Sequence, residues 1–195
     1  MQLLYSEKNR SFNSKKMMRL LGYMLLPLLF LAACSGSKTI SSRGLPYAQL
    51  GQSMPASGAA SLGGRQLRDT LFREGEYEWR AAIVDYGSKG KVYLEDGFWA
   101  EGMINRIRVE SPKFRVKGAE KIRVGMSWEE VRPQGQAWQM IYLPDYGLVD
   151  VFSDEFPRMH FLIRESRLSP EALEDPAMQA DSLSPNAAIR AIVLM

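Results

Sequence analysis

Cysteine and histidine are nearly missing from this sequence: Cys34 and His160 are the only ones in 195 residues. A lone cysteine excludes an intrachain disulfide, and with a lone histidine no Cys/His metal cluster or Cys–His dyad is available. Long apolar runs are lacking too. The stretch from Leu20 to Ala33 has 14 residues and contains Pro27, whereas a bilayer-spanning helix needs about 20. No glycine-rich phosphate loop, metal-ligand run or flavin signature occurs. A basic surplus is also missing where it would matter. The chain carries 25 Lys and Arg against 22 Asp and Glu. Five of those cations but only Glu7 among the acids fall in residues 1–33, leaving 20 against 21 in the remainder. Nucleic acid is therefore not an expected partner.

What is present begins with an address. Lys15, Lys16 and Arg19 precede the apolar run, which closes on Leu31-Ala32-Ala33-Cys34 and continues as Ser35-Gly36-Ser37. A basic flank, a short apolar core and small residues form a signal-peptide pattern. The leader is long, and Met17 and Met18 are alternative starts. Leu-Ala-Ala-Cys resembles the lipobox of bacterial lipoproteins, in which the cysteine becomes the lipidated first residue of the mature chain. That resemblance implies a diacylglycerol thioether and an N-acyl chain on Cys34. One acyl chain holds a protein only marginally, and several hold it stably. Ser35 follows the cysteine where Asp would favour inner-membrane retention, so the outer membrane is the expected location, with the periplasmic or external face left open. The expected partners are this membrane, through Cys34, and an envelope protein or a glycan. No cofactor or metal is expected.

Residues 34–64 read as a lipidated cysteine and a flexible tether. Ser, Gly, Ala and Pro fill 19 of the 30 positions from 35 to 64, with no acid among them. Such composition buries too little apolar area to offset chain entropy, and a coil of this length reaches on the order of 30 Å. Residues 65–195 read as a single globular domain of α+β class, mostly antiparallel sheet with one or two short helices. Tyr77, Trp79, Ala81 and Ile83 alternate with Glu78 and Arg80, the period of a half-buried strand. Gly87-Ser88-Lys89-Gly90 turns the chain into a strand over 91–95, and a third follows over 104–110. Further strands are expected near Ile122 and Val124, then at 139–143, 148–152, 158–163 and 188–194. Ser127-Trp128-Glu129-Glu130 has the spacing of a capping box, with Pro133 ending its helix within two turns. Ser169-Pro170-Glu171 opens a second helix.

Candidate chemistry is sparse. Gly125-Met126-Ser127 lacks the second glycine of a nucleophile elbow, so Ser127 and Glu130 read as a helix cap. His160 lies between Met159 and Phe161 with nothing in sequence to link it to Ser127, and reads as a structural residue. Glu95, Asp96 and Glu101 flank Gly97-Phe98-Trp99, while Asp145, Asp150, Asp154 and Glu155 occupy later hairpins. Paired acids beside an aromatic platform can cleave glycosides, but acids in turns are more often solvated. Trp79 and Trp138 fit strand faces and read as core. Phe98 and Trp99 are either an exposed pair marking a partner or ligand surface or a lid folded over the sheet. No catalytic residue is assigned.

The segment Lys121-Ile122-Arg123-Val124-Gly125-Met126-Ser127-Trp128-Glu129-Glu130-Val131 resembles the strand–glycine–helix unit of the SmpA/OmlA family. These are small lipoproteins of the outer-membrane assembly machinery with a β-lactamase-inhibitor-like α+β shape. Ile122, Gly125, Met126, Ser127 and Val131 carry the similarity, over about a dozen residues. Pro133 shortens the helix, and strands precede the motif where the family begins with helices. The resemblance implies a non-enzymatic scaffold role with no catalytic residue to transfer. The expected function is thus a non-catalytic envelope lipoprotein, a scaffold or interaction module at the outer membrane. The alternative is a surface lipoprotein that binds or cleaves glycans.

Overall fold

The computed structural model describes residues 38–97, 100–119, 121–164 and 182–195. Cys34, the Phe98–Trp99 pair and the helix expected from Ser169 lie outside them. Residues 38–195 form one compact unit, and its architecture is mostly antiparallel sheet. The strands are β1 (Thr39–Ile40), β2 (Gly44–Leu45), β3 (Ala48–Gln49), β4 (Ser61–Leu62), β5 (Arg65–Glu74), β6 (Tyr77–Asp85), β7 (Lys91–Gly97), β8 (Ala100–Val109), β9 (Arg115–Val116), β10 (Gln139–Leu143), β11 (Leu148–Phe152), β12 (Met159–Arg164) and β13 (Ile189–Leu194). Among the described residues the only α-helix is α1, Trp128–Val131.

Nine strands make one sheet in the order β10-β11-β12-β13-β8-β7-β6-β5-β4. Every neighbouring pair in it is antiparallel. It consists of two meanders, each following chain order, joined where β13 lies against β8 with Ile192 opposite Val109 and Leu194 opposite Ile107. Alternation sorts the side chains onto two faces. Leu67, Val84, Leu94, Ile107, Val109, Ile192, Phe161 and Val151 all point to the packed face and belong to one continuous core. The connecting segments cover that face with Ile40, Leu45, Met54, Phe114, Ile122, Trp128 and Val131.

The cover includes the stretch expected to be a tether. Ile40 is 0 % exposed and Leu45 2 %, and β1 pairs in parallel with β9, Thr39 opposite Arg115. Asp69 accepts from the Gly58 N–H at 2.8 Å, and Arg80 donates to the Pro55 carbonyl at 2.6 Å. The folded unit therefore starts at Lys38 rather than Arg65. Composition misled because the few apolar residues here are spaced to reach the packed face of the sheet, and the glycines serve geometry. Gly44 has φ +136°, and a Cβ there would sit 2.4 Å from the Ala48 carbonyl oxygen. No side chain but hydrogen fits that hairpin.

Two other expectations change. The long strand β5 is additional: its Leu71 and Phe72 are adjacent and point to opposite faces, which hides the period of two. Ile122 and Val124 form no strand, since Ile122 closes a turn instead, donating to the Ala119 carbonyl at 2.8 Å. At α1 the Glu130 carboxylate reaches back to accept from the Ser127 N–H at 3.1 Å and from the Ser127 hydroxyl at 2.9 Å. Those two hydrogen bonds, the backbone one first, hold the Glu130 carboxyl below its usual range.

Candidate functional site

The second face of the sheet carries the candidate site. Register places Phe72 on β5 opposite Trp79 on β6, Glu95 on β7 opposite Arg106 on β8, and Tyr93 opposite Arg108. Val193 on β13 lies opposite Arg108 on one side and His160 on β12 on the other. A groove of about 540 Å³ runs across these strands, walled by Phe72, Trp79, Arg106, Arg108, Tyr146 and His160. A second depression of about 560 Å³, lined by Asp96 and Asn105, shares Trp79 and Arg106 with it.

Glu95 organises the centre. Its side chain is 1 % exposed while those of Arg106 and Arg108 are 42 % and 30 % exposed. The Arg106 guanidinium grips one carboxylate oxygen through two nitrogens, the Nε at 2.7 Å. Trp79 donates its indole N–H to the same oxygen at 3.2 Å, and Arg108 Nε lies 3.4 Å from the other. The two guanidiniums are also stacked. Arg108 lies 4.2 Å from the Tyr93 ring centre and 5.5 Å from that of Phe72, and Arg106 lies 5.6 Å from that of Trp79. A buried carboxylate normally carries a heavy desolvation cost, which the Arg106 and Trp79 donors on one oxygen and the Arg108 charge beside the other offset. The result is a platform of alternating rings and cations.

His160 is not isolated. Its Nδ1 lies 2.9 and 3.0 Å from the two Asp150 oxygens, and its ring tilts against Phe152 with centres 5.0 Å apart. Asp150 faces Leu162, two residues along from His160, so this is a diagonal cross-strand contact. Burial pushes the Asp150 carboxyl above its usual value, against the opposing pull of the His160 hydrogen bond and charge. The dyad lines the groove, and among the described residues no serine or cysteine lines the groove with it.

Several expected site residues fall elsewhere. Glu95 and Asp96 are not solvated turn acids: both are buried in β7, where Asp96 accepts from the Arg80 backbone N–H at 2.7 Å. Trp79 is half-buried on the groove face instead of in the core. Trp138 packs on the other side, stacked on Phe156 at 5.7 Å and edge-on to Trp128 at 5.3 Å. Ser127 and His160 lie on different faces of the sheet and are not brought together. The Arg106–Glu95–Arg108 cluster and the Asp150–His160 pair were not singled out from sequence, although the alternation of Arg106 and Arg108 around Ile107 is the signal that could have found the first.

A mostly antiparallel sheet with one packed face and one grooved face defines the class of fold. No protein-family model and no curated protein matches the chain. Among solved structures, it is similar to that of the uncharacterized protein yfeY from Escherichia coli, with a TM-score of 0.58 and 13 % identity over 80 % of this chain and 98 % of that one. At that identity the likeness is one of fold. Among the described residues no helix is long and apolar enough to cross a membrane, and no three His, Cys, Asp or Glu side chains are grouped to hold a metal.

Proposed function

We propose that the chain is a non-catalytic lipoprotein of the cell envelope, anchored to the outer membrane through Cys34, whose grooved sheet face is an interaction surface. The observation that carries the binding role is the state of the acids around the groove. Glu95 is held by Arg106, Asp150 by His160, and Glu74 by the Tyr146 hydroxyl. Glu95, buried and ion-paired, is a poor general acid or base, and the Asp150–His160 pair has no serine or cysteine nucleophile among the described residues of the groove, while the stacked rings and half-exposed guanidiniums offer the aromatic and Arg chemistry of binding hot spots. The basic, short-cored leader ending at Leu-Ala-Ala-Cys supports the anchor. The SmpA/OmlA-like segment around Gly125 and Ser127, with its capped helical turn amid antiparallel strands, supports the α+β class and the scaffold role.

A photo-crosslinking residue at Tyr146 tests the surface in intact cells. It should give a discrete protein adduct that Phe72→Ala with Trp79→Ala removes, and that the same probe at Lys117 does not give. Equal labelling from both positions would refute the proposal. Acyl labelling tests the anchor separately, since Cys34→Ala should abolish incorporation and release the chain from membranes. The combination of Trp79, Phe72 and Tyr146 with polar neighbours also favours a glycan as occupant. Co-sedimentation with peptidoglycan that depends on Trp79, with no protein adduct, would support that reading over a protein partner.

A further inference from the structure

Cations are gathered at one part of the folded unit. From residue 35 to 65 the chain has Lys38, Arg43 and Arg65 and no acid, and from 111 to 125 it has five Lys and Arg against Glu120 alone. The fold joins these stretches. The Arg115 N–H donates to the Lys38 carbonyl at 2.9 Å as β1 runs beside β9. Arg65 and Lys113 both lie over the Tyr86 ring, 5.4 and 5.5 Å from its centre. Ser111, two residues before Lys113, donates its hydroxyl to the Lys89 carbonyl at 2.6 Å. Lys38, Arg65, Lys89 and Lys113 thereby share one surface; the first three are exposed and Lys113 is half-buried. The acid beside Tyr86, Asp85, is already engaged by the Gly87 N–H at 2.6 Å and faces Arg68 at 3.9 Å. Partial burial, then the positive charges of Lys89, Arg65 and Lys38, hold the Lys113 amine below its usual range.

This surface lies at the point where the chain leaves for Cys34. Four peptide units separate Cys34 from Lys38, so the lipidated residue stays within about 14 Å of Lys38 in any conformation. We propose that this cationic surface lies against the anionic headgroups of the bilayer that holds the Cys34 anchor, which fixes how the folded unit stands on the membrane. The inference rests on the lipoprotein reading for its geometry. An anchor alone leaves the unit free to rotate. Several cations within a Debye length of an anionic surface, about 8 Å at physiological salt, do not.

The test uses the chain from Ser35, which has no lipid but retains the whole compact unit and its core. Flotation should show it binding vesicles rich in phosphatidylglycerol and not vesicles of phosphatidylcholine, with the binding lost at high salt. Each basic residue near an anionic surface strengthens partition roughly fivefold, so Lys89→Ala with Lys113→Ala should lower it on the order of 25-fold. Arg73→Ala with Arg164→Ala, the same charge change elsewhere, should leave it within about twofold. Equal partition into both vesicle types, or an equal loss in both pairs, would overturn the proposal. Acyl labelling of the full chain reports on the lipidation reading alone, so failure of one is distinguishable from failure of the other.

Discussion

Replacing Ile40 by alanine tests whether residues 38–64 are part of the fold. Ile40 is completely buried, lies opposite Val116, and its carbonyl accepts from the Lys117 N–H at 2.8 Å. The substitution keeps those backbone bonds and empties part of the core beneath them. Truncating a buried aliphatic side chain costs about 2–5 kcal/mol, depending on how far the site collapses. A value of about 3 kcal/mol is expected here if β1 stays docked. If it detaches first, the loss is capped at the docking free energy, and the urea m-value falls because the native state then has less surface left to expose. A solvated tether predicts a change within about 0.5 kcal/mol instead. Urea unfolding of the chain from Ser35, followed by tryptophan fluorescence, measures the difference. Trypsin at Arg43 gives a second readout: the Arg43 carbonyl accepts from the Leu50 N–H at 2.8 Å, so cleavage requires the β2–β3 hairpin to open. Cutting should be slow in the natural chain and faster in Ile40→Ala. An unchanged urea midpoint together with Arg43 cleavage as fast as in denatured protein would refute the docked segment.

Glu95→Ala leaves the Trp79 N–H without its acceptor and two guanidiniums without their shared anion. Losing one partner of a buried pair costs about 3–5 kcal/mol, but Arg106 can turn to water, being 42 % exposed, so about 2 kcal/mol is expected in chemical unfolding. Asp69→Asn should weaken the acid-side pH dependence of stability. Its slight desolvation raises the carboxyl, but hydrogen bonds from the Gly58 N–H and Arg80, with the Arg80 charge, bring it below 3.8 overall. A depressed folded value means stability present above the unfolded pKa and lost as pH falls through the folded one, and thermal melts from pH 5 to pH 2 would read this. Ser127→Ala should cost about 1 kcal/mol at α1. Ser127→Asp, an equal cap on sequence grounds, should also lose stability at neutral pH, because the Ser127 hydroxyl donates to the Glu130 carboxylate and a second carboxylate there would repel it. An Asp variant as stable as the natural chain would show that this hydrogen bond contributes nothing.

The strands with clean alternation were the legible ones. Tyr77 to Ile83, Lys91 to Glu95 and the four strands of the later meander are visible because one face is apolar and the other polar. The antiparallel arrangement follows from the short turns between them. The segment before Arg65 was not legible, because its contribution depends on a few side chains meeting a partner far along the chain. Ile40 reads as a stray apolar residue in a Ser/Gly run until β9 lies beside it. No local pattern encodes the parallel pairing of two-residue strands.

The site was obscured for a related reason. An alternating polar face reads as a solvated face, so Glu95, Arg106 and Arg108 pass for surface charge and His160 passes for an isolated residue. Each becomes informative only through its cross-strand neighbour. Arg106 facing Glu95 and Arg108 facing Tyr93 turn a charged row into a stacked cluster, and the offset between β11 and β12 brings Asp150 to His160. Register is set by the hydrophobic face, so the core residues determine which polar groups meet on the other side. Ile107 and Val109, opposite Leu94 and Val92, fix the position of Arg106 and Arg108 without touching the groove. A one-residue slip of β8 would move Arg106 and Arg108 into the core and Ile107 into the groove. The burial that stabilises the sheet is therefore also what preorganises the proposed binding face.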